Sequence, residues 1–139
     1  MSILKEKLKE HAVWAEGWRN FPYEDTVGKV TIGVGRNLDD RGLSDDEVGY
    51  ILENDLTFSI DDANQFKWFA ELNTARQVVV ADMIFNMGIR RFRSFANTIR
   101  ALERHDYETA AEEMIDSKWY RQVGRRGVKN VQIMREGRL

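Results

Sequence analysis

The sequence predicts an α+β fold, mostly α, in which a small β-hairpin lobe and a larger helical lobe are joined by a long helix. Three observations lead there. Residues 30–35 alternate Val, Ile and Val with Thr, Gly and Gly, the period of two that marks a strand with one apolar face. Residues 44–64 carry Val48, Ile51, Leu52, Leu56 and Ile60 at helical spacing behind a capping sequence. The later half of the chain is apolar at helical spacing, segment after segment. At 139 residues the chain suits a single domain, 1–139, and is long enough for a real core. The small lobe is expected over about 14–64, and the helical lobe over about 65–139 together with the N-terminal helix.

The elements follow in order. Leu4, Leu8 and Ala12 recur along a first helix of about four turns, which stops near Gly17 because glycine tolerates the left-handed conformation after a helix end. Phe21 and Tyr23 form a short strand, Glu24 to Gly28 has turn composition, and residues 21–36 close as a β-hairpin. Gly33 and Gly35 leave one strand face bare, as happens where a backbone or ligand comes close. Ser44 and Glu47 fit a capping box that opens the connecting helix. Residues 78–87 are apolar on nearly every side, so that helix is expected to be central and buried, capped by Asn73 or Thr74 and ended by Gly88. Phe92, Phe95, Ile99 and Leu102 read as one further helix. Asp106 caps the next, with Tyr107, Ala110, Ala111, Met114 and Ile115 facing inward. Gly124 and Gly127 punctuate before a last basic helix bearing Val128, Val131 and Met134. A cleft between the two lobes is the expected ligand site.

Composition excludes several classes. With 42% hydrophobic, 11% aromatic and 32% charged residues the chain is globular rather than disordered. It has no cysteine and two histidines, which rules out disulfides, thiolate metal sites and a multi-histidine cage, so no metal and no cofactor is expected. No apolar run approaches the roughly 18 residues of a membrane span, and Met1 to Lys7 turns amphipathic at once, so the expectation is a cytosolic product with no membrane anchor. Residues 1–70 hold 8 Lys and Arg against 14 Asp and Glu, whereas residues 71–139 hold 13 against 9. A basic second half fits an anionic partner, or simply a solvated helix face.

The chemistry-bearing residues lie in the first half. Glu16 stands at the end of the first helix, Asp25 in the hairpin turn, and Thr31 on the strand beyond it. Two carboxyls with a water between them are the parts needed for glycosidic hydrolysis. On spacing alone the pair reads first as solvated surface acids, as most acids in most proteins are. Trp119 is assigned to the core. Trp18, beside Glu16, remains open between core and sugar stacking, and His11 and His105 are read as surface residues.

Several separated motifs match one family in order along nearly the whole chain. Glu16-Gly17, then Asp25-Thr26-Val27-Gly28, then Thr31-Ile32-Gly33-Val34-Gly35 resembles the active-site segment of the bacteriophage lysozymes, or endolysins. Ile84-Phe85-Asn86-Met87-Gly88 resembles that family's central-helix ending, and Ser117 to Gln122 a late family signature. The resemblance implies a lysozyme-like fold and hydrolysis of the β-1,4 bond between N-acetylmuramic acid and N-acetylglucosamine, with inversion. It implies that Glu16 is the general acid, that Asp25 positions or activates the water, and that Thr31 helps hold it. An inverting pair stands roughly 6.5–9.5 Å apart to admit that water. Asn37, Phe85, Thr98 and Glu113 fall at positions that line the sugar groove, and Arg126 at the position of an arginine set against the catalytic glutamate. The implied partner is bacterial peptidoglycan, met by a monomer made in a phage host's cytoplasm, with no nucleic acid involved.

Two departures from the family stand out. Arg36 replaces a histidine whose partner aspartate corresponds to Asp55, so an Arg36–Asp55 pair is expected. Residues 38–44 are short where relatives carry a longer second hairpin. A non-catalytic wall-binding module is the alternative, disfavoured because Glu16, Asp25 and Thr31 are all present. A nucleic-acid-binding role for the basic half lacks any recognisable DNA-reading motif.

Overall fold

A computed structural model describes residues 2–139. The chain divides into two compact units, Met1–Tyr50 and Ile51–Leu139. The division falls inside the connecting helix, and the N-terminal helix groups with the sheet.

In the first unit, α1 (Ile3–Glu16) is capped by Ser2, whose hydroxyl accepts the Lys5 N–H, and ends at Gly17 with φ 82°. Three strands follow, β1 (Arg19–Glu24), β2 (Val30–Gly33) and β3 (Arg36–Asn37), forming an antiparallel sheet in the order β1-β2-β3. The expected hairpin is therefore extended by a third strand. Tyr23 pairs with Thr31, Thr31 with Asn37, and Ile32 with Arg36. The β1–β2 register slips between Arg19 and Tyr23, a stretch that includes Pro22. Pro22 can be accommodated there because β1 is an edge strand, where a missing N–H costs no ladder bond.

No α1 residue is buried, and Leu4 and Leu8 are exposed.

The long helix α2 (Asp45–Ala63) opens on the expected capping box: the Glu47 N–H donates to Ser44 Oγ, and the Ser44 N–H donates to Glu47 Oε1. After a 3₁₀ turn (Lys67–Glu71) the second unit continues as α3 (Thr74–Met87), α4 (Ile89–Arg93), α5 (Ala96–Glu103), α6 (Tyr107–Ile115), α7 (Lys118–Val123) and α8 (Arg125–Glu136). Its core contains Val79, Val80, Met83, Phe92, Leu102, Met114 and Met134, all essentially sealed from water. Asn73, Asp106 and Ser117 cap α3, α6 and α7 through side-chain oxygens. Trp119 is 2% exposed, and its indole N–H donates to Asn86 Oδ1 at 2.9 Å, which places it in the core.

Two readings change. The single helix expected through Phe92 and Leu102 is broken into α4 and α5. Ser94 turns its hydroxyl back onto the Arg91 carbonyl, and Phe95 leaves helical geometry at ψ 58°. The Phe95 ring then meets Trp119 edge-on at 6.3 Å. Gly127 does not punctuate but lies within α8. A Cβ there would stand 3.0 Å from Tyr120 Cδ2 and 3.1 Å from Val123 Cγ2, so glycine lets α8 close onto α7. Among the described residues no helix is long and apolar enough to cross a membrane.

Candidate active site

Glu16, Asp25 and Thr31 all lie in the first unit, and its backbone arranges them. Glu16 is the last residue of α1. Its side chain lies against Gly35, in the turn between β2 and β3: a Cβ built on Gly35 would stand 2.9 Å from Glu16 Cδ and 3.1 Å from Oε2. The bare strand face expected at Gly35 is thus occupied by the candidate general acid.

Asp25 is held by its own turn. Its Oδ1 accepts the N–H groups of Val27 at 2.9 Å and Lys29 at 2.8 Å, and its N–H donates to the Lys29 carbonyl at 2.9 Å. Such an Asx-type turn explains why aspartate suits a position that reverses the chain. Oδ2 has no hydrogen-bond partner among the described residues. Thr31 is 3% exposed, and its hydroxyl donates to the same Lys29 carbonyl at 3.0 Å. The Thr31 oxygen therefore keeps its lone pairs for accepting a hydrogen bond.

Asn37 pairs with Thr31 across the sheet, but its amide is committed locally. Nδ2 donates to Asp40 Oδ2 and Oδ1 accepts the Asp40 N–H, both at 2.9 Å, which locks the short 38–44 loop. In the second unit Thr98 and Glu113 line one cavity of about 310 Å³ with Asn97, Lys118 and Trp119. Phe85 lines another, of about 390 Å³, together with Asp55, Phe58, Ser59 and Asp62. Among the described residues no cluster of three or more His, Cys, Asp or Glu has the arrangement to hold a metal.

Each of the two supporting arginines has an acidic partner within its own unit. Arg36 Nη1 meets Glu47 Oε1 at 2.7 Å and Nη2 meets Oε2 at 2.6 Å, while Nη1 also donates to the Gly42 carbonyl. Glu47 stands two turns before Asp55 on α2, so the carboxylate that caps the helix also receives the guanidinium. The Arg36 hydrogen bonds, followed by that from the Ser44 N–H, lower the Glu47 carboxyl to about 2. A depressed carboxylate contributes stability that is present above its unfolded value, near 4.3, and is lost as pH falls through about 2. Glu47→Gln is therefore expected to lower the unfolding midpoint at pH 7, with the gap to wild type closing near pH 2. Arginine stays charged, so no loss is expected on the alkaline side. Equal gaps at both pH values would refute the linkage.

Arg126, expected against Glu16, is held inside the second unit by Asp82, with Nε to Oδ2 at 2.9 Å and Nη2 to Oδ1 at 2.6 Å. Asn130 Nδ2 donates to the same Asp82 oxygen, Oδ2. Burial pushes the Asp82 carboxyl up, but the hydrogen bonds from Arg126 and Asn130 outweigh it and hold the group below its usual range. This fork ties α3 to α8. The two side chains are 29% and 38% exposed, so Asp82→Ala should cost about 1–2 kcal/mol at pH 7, between the surface and buried limits. Urea unfolding measures this, and the cost should shrink as pH falls below about 3.8, toward the lower folded value. A variant as stable as wild type at pH 7 would show that the fork contributes nothing.

Sequence reasoning missed Glu47 and Asp82 as arginine partners. The capping box signalled Glu47, but nothing local marked its second role.

A family model described as phage lysozyme matches residues 14–136. "Probable T4-type lysozyme 1" and "Probable T4-type lysozyme 2" of Dictyostelium discoideum are each 24% identical over 169 aligned residues, spanning 100% of this chain and 97% of theirs.

Proposed function

The chain belongs to the phage lysozyme family, and from that membership we propose that it is an endolysin that opens a phage host's wall by inverting hydrolysis at Glu16 and Asp25. It is a glycoside hydrolase, a lysozyme acting on peptidoglycan.

The proposed chemistry uses groups of the first unit. Glu16 gives its proton to the glycosidic oxygen as the bond between that oxygen and the anomeric carbon breaks. A water resting on the Thr31 oxygen loses a proton to Asp25 and bonds to the anomeric carbon from the opposite face. The observation that supports this reading is the Glu16 carboxyl lying against Gly35, in the same small sheet unit that holds the Asp25 carboxylate and the Thr31 hydroxyl. Phe85, Thr98 and Glu113 are assigned saccharide contacts, and the protein is taken to act as a monomer. It would be made in the host cytoplasm and reach the wall once the inner membrane is opened.

Digestion of purified peptidoglycan tests the reading. New reducing N-acetylmuramic acid ends, with the α anomer formed first, are the expected products. The same ends with the β anomer first would replace inversion by retention. Binding without new reducing ends would favour the wall-binding alternative.

A further inference from the structure

The Lys29–Val30 peptide sits at the centre of the candidate site, and the catalytic reading leaves one of its partners without a role. Its carbonyl accepts from the Asp25 N–H at 2.9 Å and from the Thr31 hydroxyl at 3.0 Å. Its N–H, from Val30, points the other way and donates to Asp39 Oδ2 at 2.8 Å. A peptide is planar, so the carbonyl of residue 29 and the N–H of residue 30 rotate together. Whatever fixes the N–H therefore fixes the acceptor that sets both Asp25 and Thr31.

We propose that Asp39 is a positioning residue for the hydrolytic water, acting through this single peptide plane. The inference rests on the catalytic reading of Glu16, Asp25 and Thr31. Two effects follow from the geometry. First, the plane is clamped from both sides, so the Thr31 hydrogen stays on the Lys29 carbonyl and the Thr31 oxygen can serve the water only as an acceptor. The water must then turn a hydrogen toward Thr31, which leaves its other hydrogen for Asp25 and a lone pair for the anomeric carbon. Second, a carboxylate on the N–H strengthens the peptide's carbonyl as an acceptor, because hydrogen bonds in series polarise one another.

The 38–44 loop is built to hold Asp39 in place. The Leu38 N–H donates to the Val30 carbonyl at 2.8 Å. Next to it, Asp40 takes the Asn37 amide at 2.9 Å and the Lys29 ammonium at 3.1 Å. The acidic residues of this loop thus follow directly on the β2–β3 pairing of Thr31 with Asn37.

The test uses the full chain and a soluble peptidoglycan fragment, so that binding to the insoluble wall does not enter. Asp39→Ala is expected to lower kcat about 10-fold with KM within about 2-fold, the loss appropriate to a misplaced reactant. Asp39→Asn keeps an acceptor oxygen and should recover most of the rate. The decisive measurement is the same change made in a Thr31→Val background. There Asp39→Ala should cost no more than about 3-fold, because the hydroxyl it orients is already gone. If Asp39→Ala does not fold at the assay temperature, Asp39→Glu, which displaces the oxygen by one methylene, carries the same expectation. An unchanged kcat, or an equal loss in both backgrounds, overturns the inference while an inactive Glu16→Gln control leaves the catalytic reading standing. An active Glu16→Gln control overturns that reading and the inference with it.

Discussion

Glu16→Gln is expected to keep its fold and to lose at least about 100-fold in peptidoglycan cleavage, the usual worth of a positioned proton donor. Glutamine preserves the shape of the side chain and most of its packing against Gly35, but it has no carboxyl proton to give to the leaving oxygen. Glu16 is exposed at the end of α1 and has no protein hydrogen-bond partner among the described residues, so the substitution removes no contact that holds the unit together. Unfolding midpoints should therefore agree with wild type, and the loss should fall on kcat rather than KM, since a proton transferred only in the transition state contributes nothing to ground-state binding. Reducing-end release measures the rate. Near wild-type turnover would remove Glu16 from the chemistry and return it to the class of solvated surface acids.

Legibility in the sequence followed the range of the interaction. Helix caps are local signals, and Ser44, Asn73 and Asp106 each cap the helix that the residue pattern assigned to them. The strand period around Thr31 was likewise local, and β2 formed there. Partners across longer separations left no such trace. Arg36 reaches Glu47 over eleven residues and Arg126 reaches Asp82 over forty-four, and any of several acids would have satisfied the pattern equally. The α4–α5 break was invisible because Phe92, Phe95, Ile99 and Leu102 keep helical spacing through it. The Ser94 hydroxyl, turned onto the Arg91 carbonyl, and Phe95, at ψ 58°, interrupt the ladder. At the candidate site, spacing alone left Glu16 and Asp25 open to a reading as solvated surface acids, and only the order of motifs shared with a family implied roles for them and for Thr31. The Lys29–Val30 peptide was not readable, since backbone donors and acceptors are the same for nearly every residue.

Gly35→Ala should separate stability from activity. Gly35 has φ +71°, and alanine in that left-handed region costs roughly 1–2 kcal/mol. Its methyl would also enter the space of Glu16, 2.9 Å from Cδ and 3.0 Å from Cγ. That overlap is relieved cheaply, because the carboxyl is the free end of a flexible side chain and can swing away. The steric term therefore adds little to the loss of stability and acts mainly by displacing Glu16, the proposed proton donor. A displacement of about 1 Å is enough to cost roughly 100-fold in rate, so kcat is expected to fall between about 10- and 100-fold. Gly33 supplies the control. It has φ +69°, the same backbone constraint, and no heavy atom within 4 Å of the position a Cβ would take. Gly33→Ala should thus lose similar stability and keep most of its activity. Thermal unfolding and reducing-end kinetics on the two variants decide the matter. Equal losses of activity would mean that backbone strain in the β2–β3 turn, rather than contact with Glu16, governs the site.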